Sequence, residues 1–166
     1  MPVEQYVYFA LSSTHMSAQE MTAVLGVEPD ETSVRGSRRA AQPVRPACHR
    51  WKVVCREPGL AVDEQIDRVL DRLRPHTGRV AALARQLEEA PGEGGSAVLA
   101  VVRYFRAADD SETSAGRTDS DGYRGPDGMD VPHPPNLFGW ALQRDAMEFL
   151  LATGAVLDVD EYDLTR

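Results

Sequence analysis

The stretch Tyr6-Val-Tyr-Phe-Ala-Leu11, with Ser17-Ala-Gln-Glu20 after it, decides the fold class of this sequence. The first stretch alternates aromatic and aliphatic residues with high β-propensity, so it predicts a central strand. The second is a capping box, in which the serine hydroxyl and the glutamate carboxylate satisfy free backbone N–H groups at a helix start. Gly26 is expected to end that helix in a left-handed conformation. A strand followed by a capped helix indicates a fold in which helices pack against a β-sheet.

A similar order recurs near the C-terminus. Leu137–Gln143 is predicted as a returning strand, Asp145-Ala-Met-Glu148 as a second capping box, and Gly154 as the end of the helix. Further segments are predicted at His49–Cys55, Val62–Arg74, Thr77–Glu89, Ser96–Phe105 and Ala155–Leu164. This order predicts an α+β fold with a ferredoxin-like split β–α–β core. We expect an antiparallel sheet with helices on one face, in which the strands from the two chain ends are neighbours.

Residues Ala107–Asn136 differ in composition from the rest of the chain. They are rich in Asp, Gly, Ser and Pro, and such a segment cannot bury enough apolar surface to offset its ordering entropy. We predict a mobile acidic insertion between two strands of a single domain that covers residues 1–166. Its Asp119-Ser-Asp121 spacing does not match a calcium loop, because Arg124 occupies the position that requires glycine.

Charge and length restrict the class of protein. The 166 residues carry a net charge of −8, which disfavours nucleic acid and anionic membranes as partners. The apolar runs are too short to span a bilayer, and the N-terminal run lacks the basic region of a signal peptide. Two cysteines without a Cys-x-x-Cys spacing suit a reducing cytoplasm. We therefore expect a cytoplasmic protein without metal or cofactor.

A basic stretch provides the candidate ligand site. Residues 34–56 contain seven cationic side chains and no carboxylate. Guanidinium groups match phosphates and carboxylates with two parallel hydrogen bonds. The residues predicted to bind an anionic small molecule are Arg35, Arg38, Arg39 and Arg50, with Trp51 and Trp140 as walls of the pocket. The alternative is a solvated loop that pairs with the protein's own acidic segments.

Other residues suggest binding rather than catalysis. Cys48 and His49 are adjacent in an extended segment, so their side chains point apart and cannot form a nucleophile and base. Asp158 and Asp160 share one face of a predicted strand, where charges discourage edge-to-edge pairing. The strand aromatics belong to the core or to an open sheet face that binds a ligand or a second copy of the chain. No catalytic residue is predicted.

Several short motifs together resemble a known family. They are the N-terminal Tyr6-x-Tyr8-Phe9, Leu25-Gly26-Val27-Glu28-Pro29, Trp51 at a strand start, Phe149-Leu-Leu-x-x-Gly154 and Leu157-Asp158-x-Asp160-x-Tyr162. This set is similar to the bacterial family catalogued as domain of unknown function 4279. The resemblance implies a small single domain. The family has no accepted activity, cofactor or catalytic residue that could be assigned to residues of this chain.

Two classes of function follow. The first is a non-catalytic binding or interaction protein, for example of the immunity type, that recognises a protein partner or associates with itself. The alternative is a small enzyme or ligand-binding protein of specialised metabolism that acts on an anionic small molecule.

Overall fold

A computed structural model describes residues 3–37, 45–91, 95–106 and 139–164, and the backbone of 123–124 and 130–131. The strands are β1 (Val3–Ser13), β2 (Glu31–Ser33), β3 (His49–Cys55), β4 (Ser96–Arg106), β5 (Tyr123–Arg124), β6 (Asp130–Val131) and β7 (Val156–Leu164). The α-helices are α1 (Ala18–Leu25), α2 (Val62–Leu73), α3 (Thr77–Glu88) and α4 (Arg144–Thr153), with a 3-10 turn, Arg74–His76, between α2 and α3.

The main sheet has five strands in the order β2-β3-β1-β4-β7. β1 pairs antiparallel with β3 and β4, whereas β7 runs parallel to β4. The predicted α+β class is confirmed, but the sheet is mixed rather than antiparallel. The reason is α4, which returns the chain along the sheet before β7 and so produces a parallel pair. β4 also separates β1 from β7, so the strands from the two chain ends are not neighbours and the ferredoxin-like order is not observed.

The ends of the helices show where local signals are reliable. Ser17 caps α1 as predicted: the Glu20 N–H donates to Ser17 Oγ at 3.3 Å, and the Ser17 N–H donates to Glu20 Oε2 at 2.7 Å. Gly26 ends the helix with φ at 69°. The second capping box is wrong, because α4 begins at Arg144, two residues too early for Asp145 to cap it.

Residues 139–143, the described part of the predicted returning strand, are irregular. Their apolar side chains Trp140 and Leu142 instead pack against the core next to α4. Short apolar runs fit a strand or an irregular core segment equally well, since periodicity needs a longer stretch to be decisive. The acidic segment 107–136 therefore follows β4 and precedes α4. Apart from the small antiparallel pair β5–β6, it lies outside the described residues.

One side of the main sheet carries the core. The strand residues of the core cluster share a single face, Val7, Phe9, Leu11, Trp51, Val53, Cys55, Ala97, Leu99 and Val101. All four α-helices contribute to the same cluster, and Phe9 meets Phe149 of α4 edge to face at 5.7 Å. In the described part of the chain the helices thus pack on one face, as predicted. Strand alternation sends the remaining side chains to the opposite face.

Candidate functional site

The face of the sheet opposite the helices is lined by tyrosines. Tyr6 and Tyr8 of β1 stack with ring centroids 6.2 Å apart. Tyr104 of β4 and Tyr162 of β7, which are register partners, stack at 5.0 Å. Alternation places all four rings on the same side, because the strand residues between them point into the core. We call this side the tyrosine face.

Cations from β3 and the residue after it cover two of these rings. Lys52 Nζ lies 4.1 Å from the centroid of the Tyr8 ring, and the Arg56 guanidinium carbon lies 4.0 Å from that of Tyr6. Both distances are within the range in which an aromatic quadrupole attracts a cation. Glu31 of β2 lies beside them, 2.8 Å from Arg56 Nη2 and 3.9 Å from Lys52 Nζ. The Lys52–Tyr8 and Arg56–Tyr6 contacts thus fix the positions of these four side chains relative to one another.

Charge on the tyrosine face is separated by strand. β3 contributes Arg50 and Lys52, which are register partners of Ser12 and Ala10 in β1. At the opposite edge of the same face, β7 contributes Asp158 and Asp160, which are register partners of Ala100 and Val102 in β4. Between these two strands the face carries one ion pair, Glu4 with Arg106 at 2.9 Å, and is otherwise uncharged and largely apolar. The result is a basic side and an acidic side separated by tyrosines, valines and alanines.

The environment of this face changes the ionisation of its groups. Burial raises the pKa of the Tyr8 phenol; Asp160 and Asp158 add to the rise, and Arg50 opposes it. Burial also raises the pKa of Tyr6, with Tyr104 adding to it. Burial lowers the pKa of Lys52, and the neighbouring Arg50 and Arg56 lower it further against the opposing effect of Glu31. The phenols are therefore neutral at ordinary pH, and they can donate hydrogen bonds.

A groove of about 110 Å³ lies on the tyrosine face between its basic and acidic sides. Arg50 and Asp158 line it together with Tyr8, and Ser12 Oγ and Ser96 Oγ share a hydrogen bond at 2.8 Å in its wall. An anion in this groove would meet the Asp158 carboxylate as well as the Arg50 guanidinium. The groove is therefore suited to a group that brings charges of both signs.

The structure describes only part of the predicted anion site. Arg38 and Arg39 lie outside the described residues. Arg35 donates through Nη1 to the Thr14 carbonyl oxygen at 3.2 Å, and Arg50 lies on the tyrosine face. Their assignment as ligand-binding residues stays a prediction.

The two tryptophans lie on the helix side. Trp51 is 0% exposed and donates from Nε1 to Thr22 Oγ1 at 3.1 Å, so it lies on the opposite face of β3 from Arg50. Trp140 packs half-buried against the core cluster. Their role as pocket walls also stays a prediction.

Lys52 and Tyr8 are not among the residues predicted to bind a ligand. Their common face could have been predicted from the alternation of β1 and β3, which sends even-numbered residues to one face.

The described ranges contain neither a cluster of metal-binding side chains nor a helix that could span a membrane. In them, no three His, Cys, Asp or Glu side chains are grouped so that they could hold a metal ion. None of the described helices combines the length and the apolar character needed to cross a bilayer. Cys48 and Cys55 are free thiols.

Comparison with known proteins identifies the family. Residues 3–119 match the family described as a domain of unknown function (DUF4279). The match spans β1 to β4 and ends before α4 and β7. No curated protein and no solved structure matches the chain. This chain belongs to the DUF4279 family.

Proposed function

We propose that this protein is a non-catalytic binding protein that acts through its tyrosine face and that this face binds a second copy of the chain. The observation that supports the proposal is the division of this face into a basic side on β3 and an acidic side on β7, with tyrosines between them. Tyrosine is enriched in protein interfaces, because its ring is apolar and its hydroxyl can still form hydrogen bonds.

Symmetry makes this charge pattern complementary to itself. A two-fold axis that lies in the interface, parallel to the strands and between β1 and β4, reverses the order of the strands in the second copy. β3 of one copy then lies over β7 of the other, with Lys52 two residues along the strand direction from Asp158, and β1 lies over β4. The contact between the basic strand β3 and the acidic strand β7 therefore occurs twice. This repetition is characteristic of an isologous interface, in which both copies use the same surface.

The area is adequate for such a contact. Five strands spaced about 4.8 Å apart make a sheet about 24 Å wide, and the 11 residues of β1 span about 36 Å. Allowing for the shorter strands, the face projects roughly 700 Å². This is close to the roughly 800 Å² that each partner contributes to a standard interface. Val156, Tyr162 and Leu164 on this face are exposed large side chains that a partner would cover.

A reducing compartment suits this proposal. The two free thiols, Cys48 and Cys55, are consistent with the cytoplasm, where disulfides are rare. Self-association would use the tyrosine face as its interaction surface. The next experiment distinguishes self-association from recognition of a different protein through the same face.

Charge reversal with matched controls tests the proposal. Arg50→Glu with Lys52→Glu makes both sides of the face acidic, so we expect the mass of a dimer in sedimentation for the native chain and that of a monomer for the variant. The matched control is Arg68→Glu with Arg85→Glu, which changes the net charge equally on exposed helix positions and should leave the dimer intact. A native chain that sediments as a monomer at about 100 µM, well above the Kd of ordinary specific complexes, would exclude a second copy as the partner.

A further inference from the structure

Strand β7 forms one edge of the main sheet and is nine residues long. In the described part of the chain it pairs with β4 alone, and the β5–β6 pair belongs to a separate sheet. In a parallel ladder alternate residues bond to the neighbouring strand, so about half of the N–H and C=O groups of β7 point away from β4. These groups are a template for one more strand.

The apolar side chains of β7 are exposed on both faces of the sheet. Val156, Val159, Tyr162 and Leu164 are four of the eight large apolar side chains that are exposed in the described ranges. Val159 lies on the helix side, where its register partner Val101 belongs to the core, yet Val159 is 41% exposed and Val101 is 0% exposed. The helices therefore leave this side of β7 partly uncovered. A further strand beside β7 would cover apolar surface on both faces.

The charge of β7 indicates which kind of strand would fit. The strand carries four carboxylates, Asp158, Asp160, Glu161 and Asp163, of which Glu161 pairs with Arg103 Nη1 at 2.8 Å. A second copy that paired antiparallel about Asp160 would place this carboxylate opposite itself, and like charges directly opposite each other are destabilising. A strand with cationic side chains at alternate positions would instead bring opposite charges together. The charge thus favours a basic partner over a second copy at this edge.

The alternation of β7 defines the pattern of that partner. On the tyrosine face the middle of β7 presents Asp158 and Asp160, and on the helix side it presents Leu157 and Val159. We infer that the edge of β7 binds an extended segment of another protein in which basic and aliphatic residues alternate, added to the five-stranded sheet as a further strand. Its basic side chains lie beside the two aspartates, and its aliphatic side chains lie beside Leu157 and Val159. Main-chain hydrogen bonds then provide affinity, and the alternate side chains provide specificity.

A peptide titration of the full chain, followed in ¹H–¹⁵N NMR spectra, tests the inference. The probe is a heptapeptide that alternates lysine and valine, with lysine at both ends and with its termini acetylated and amidated. The matched peptide has glutamate in place of lysine. We expect saturable shifts at residues 156–164 with the lysine peptide alone. Absence of saturable shifts at these residues up to about 1 mM peptide, or equal binding of the glutamate peptide, would overturn the inference.

Backbone methylation distinguishes strand addition from simple attraction between charges. The N–H groups of successive residues point to opposite edges of a strand, so methylating the valine nitrogens blocks one edge of the peptide and methylating the lysine nitrogens blocks the other. We expect at least one of these two peptides to bind, and a peptide blocked on both edges to bind at least about tenfold more weakly than the unmodified one. Equal binding of the doubly blocked peptide contradicts strand addition, and so does failure of both singly blocked peptides.

Val159→Lys provides the second arm. It places a cation beside the aliphatic side chains of the peptide and leaves the tyrosine face unchanged, so we expect about fivefold weaker binding of the lysine peptide and no effect on self-association. Leu151→Lys is the matched control, since Leu151 is 83% exposed on α4 and should not contact the peptide. Unchanged affinity in Val159→Lys contradicts the assignment. A dimer of the native chain that Val159→Lys abolishes in sedimentation would assign this edge to a second copy and would equally overturn it.

Discussion

Gly95→Ala is the substitution for which the structure predicts the sharpest loss of stability. An added Cβ would lie 2.3 Å from the Ser12 carbonyl oxygen and 2.6 Å from Leu87 Cβ. Neither neighbour can yield easily: Ser12 pairs with Ser96 in the sheet, and Leu87 is buried in α3. The Gly95 N–H also donates to the Leu87 carbonyl oxygen at 2.7 Å, which holds the peptide in place.

Overpacking a site of this kind lowers the free energy of unfolding by about 1–3 kcal/mol. Because the neighbours of Gly95 are fixed, we expect Gly95→Ala to lower it by about 3 kcal/mol. For a chain of this size, each 1 kcal/mol lowers Tm by about 2–4 °C, so the expected drop is about 6–12 °C. Urea unfolding followed by circular dichroism gives the free energy directly.

Gly78→Ala is the matched control. Gly78 lies in the first turn of α3 with nothing within 4 Å of an added Cβ, so alanine should stabilise the helix by up to about 1 kcal/mol. The two substitutions are chemically identical and should have opposite signs. A Gly95→Ala variant within roughly 0.5 kcal/mol of the native chain, the range of ordinary surface substitutions, would show that the start of β4 does not pack between β1 and α3 as described.

Two further predictions concern individual side chains. Trp51→Phe removes the donor to Thr22 and part of a fully buried ring, so we expect a loss of about 1–3 kcal/mol in the same urea assay; no loss would mean that Trp51 is not in the core. Because the folded pKa of Tyr8 lies above its unfolded value near 10, its contribution to stability is complete below that pH and is lost as pH rises through the folded pKa. Tyr8→Phe should therefore reduce the fall in unfolding free energy above pH 10. The difference in phenolate absorbance between the native chain and Tyr8→Phe isolates Tyr8, and a midpoint of that difference at or below pH 10 would contradict this.

Local signals in the sequence were sufficient for the elements that depend on local physics. The capping box at Ser17 and the left-handed stop at Gly26 are satisfied within one helix, so neither needs the rest of the fold. The alternation of β1 correctly predicts a central strand. Asp145 shows the limit of the same reasoning: Gln143 is the N-cap of α4, so Asp145 lies in the first turn, where it pairs with Arg74 Nη2 at 2.6 Å.

The sheet order could not be derived in this way, because it depends on contacts between distant segments. Nothing in the residues of β7 specifies β4 as its neighbour or a parallel direction. The position of Trp51 was missed for a related reason: a basic stretch suggests one surface, but alternation along β3 sends Arg50 and Trp51 to opposite faces. The tyrosine face combines β1, β3, β4 and β7, and only the sheet order reveals its separation of charge.

The central claim, that the tyrosine face is complementary to itself in charge, is tested most directly by mixing two variants. One carries Arg50→Glu and Lys52→Glu, and the other carries Asp158→Lys and Asp160→Lys. Each variant alone brings like charges together and should be monomeric, whereas the mixture restores both contacts and should form a heterodimer, measured by sedimentation of the mixture against each variant alone. Two variants that stay monomeric when mixed, or that dimerise as well alone as the native chain does, would contradict the account.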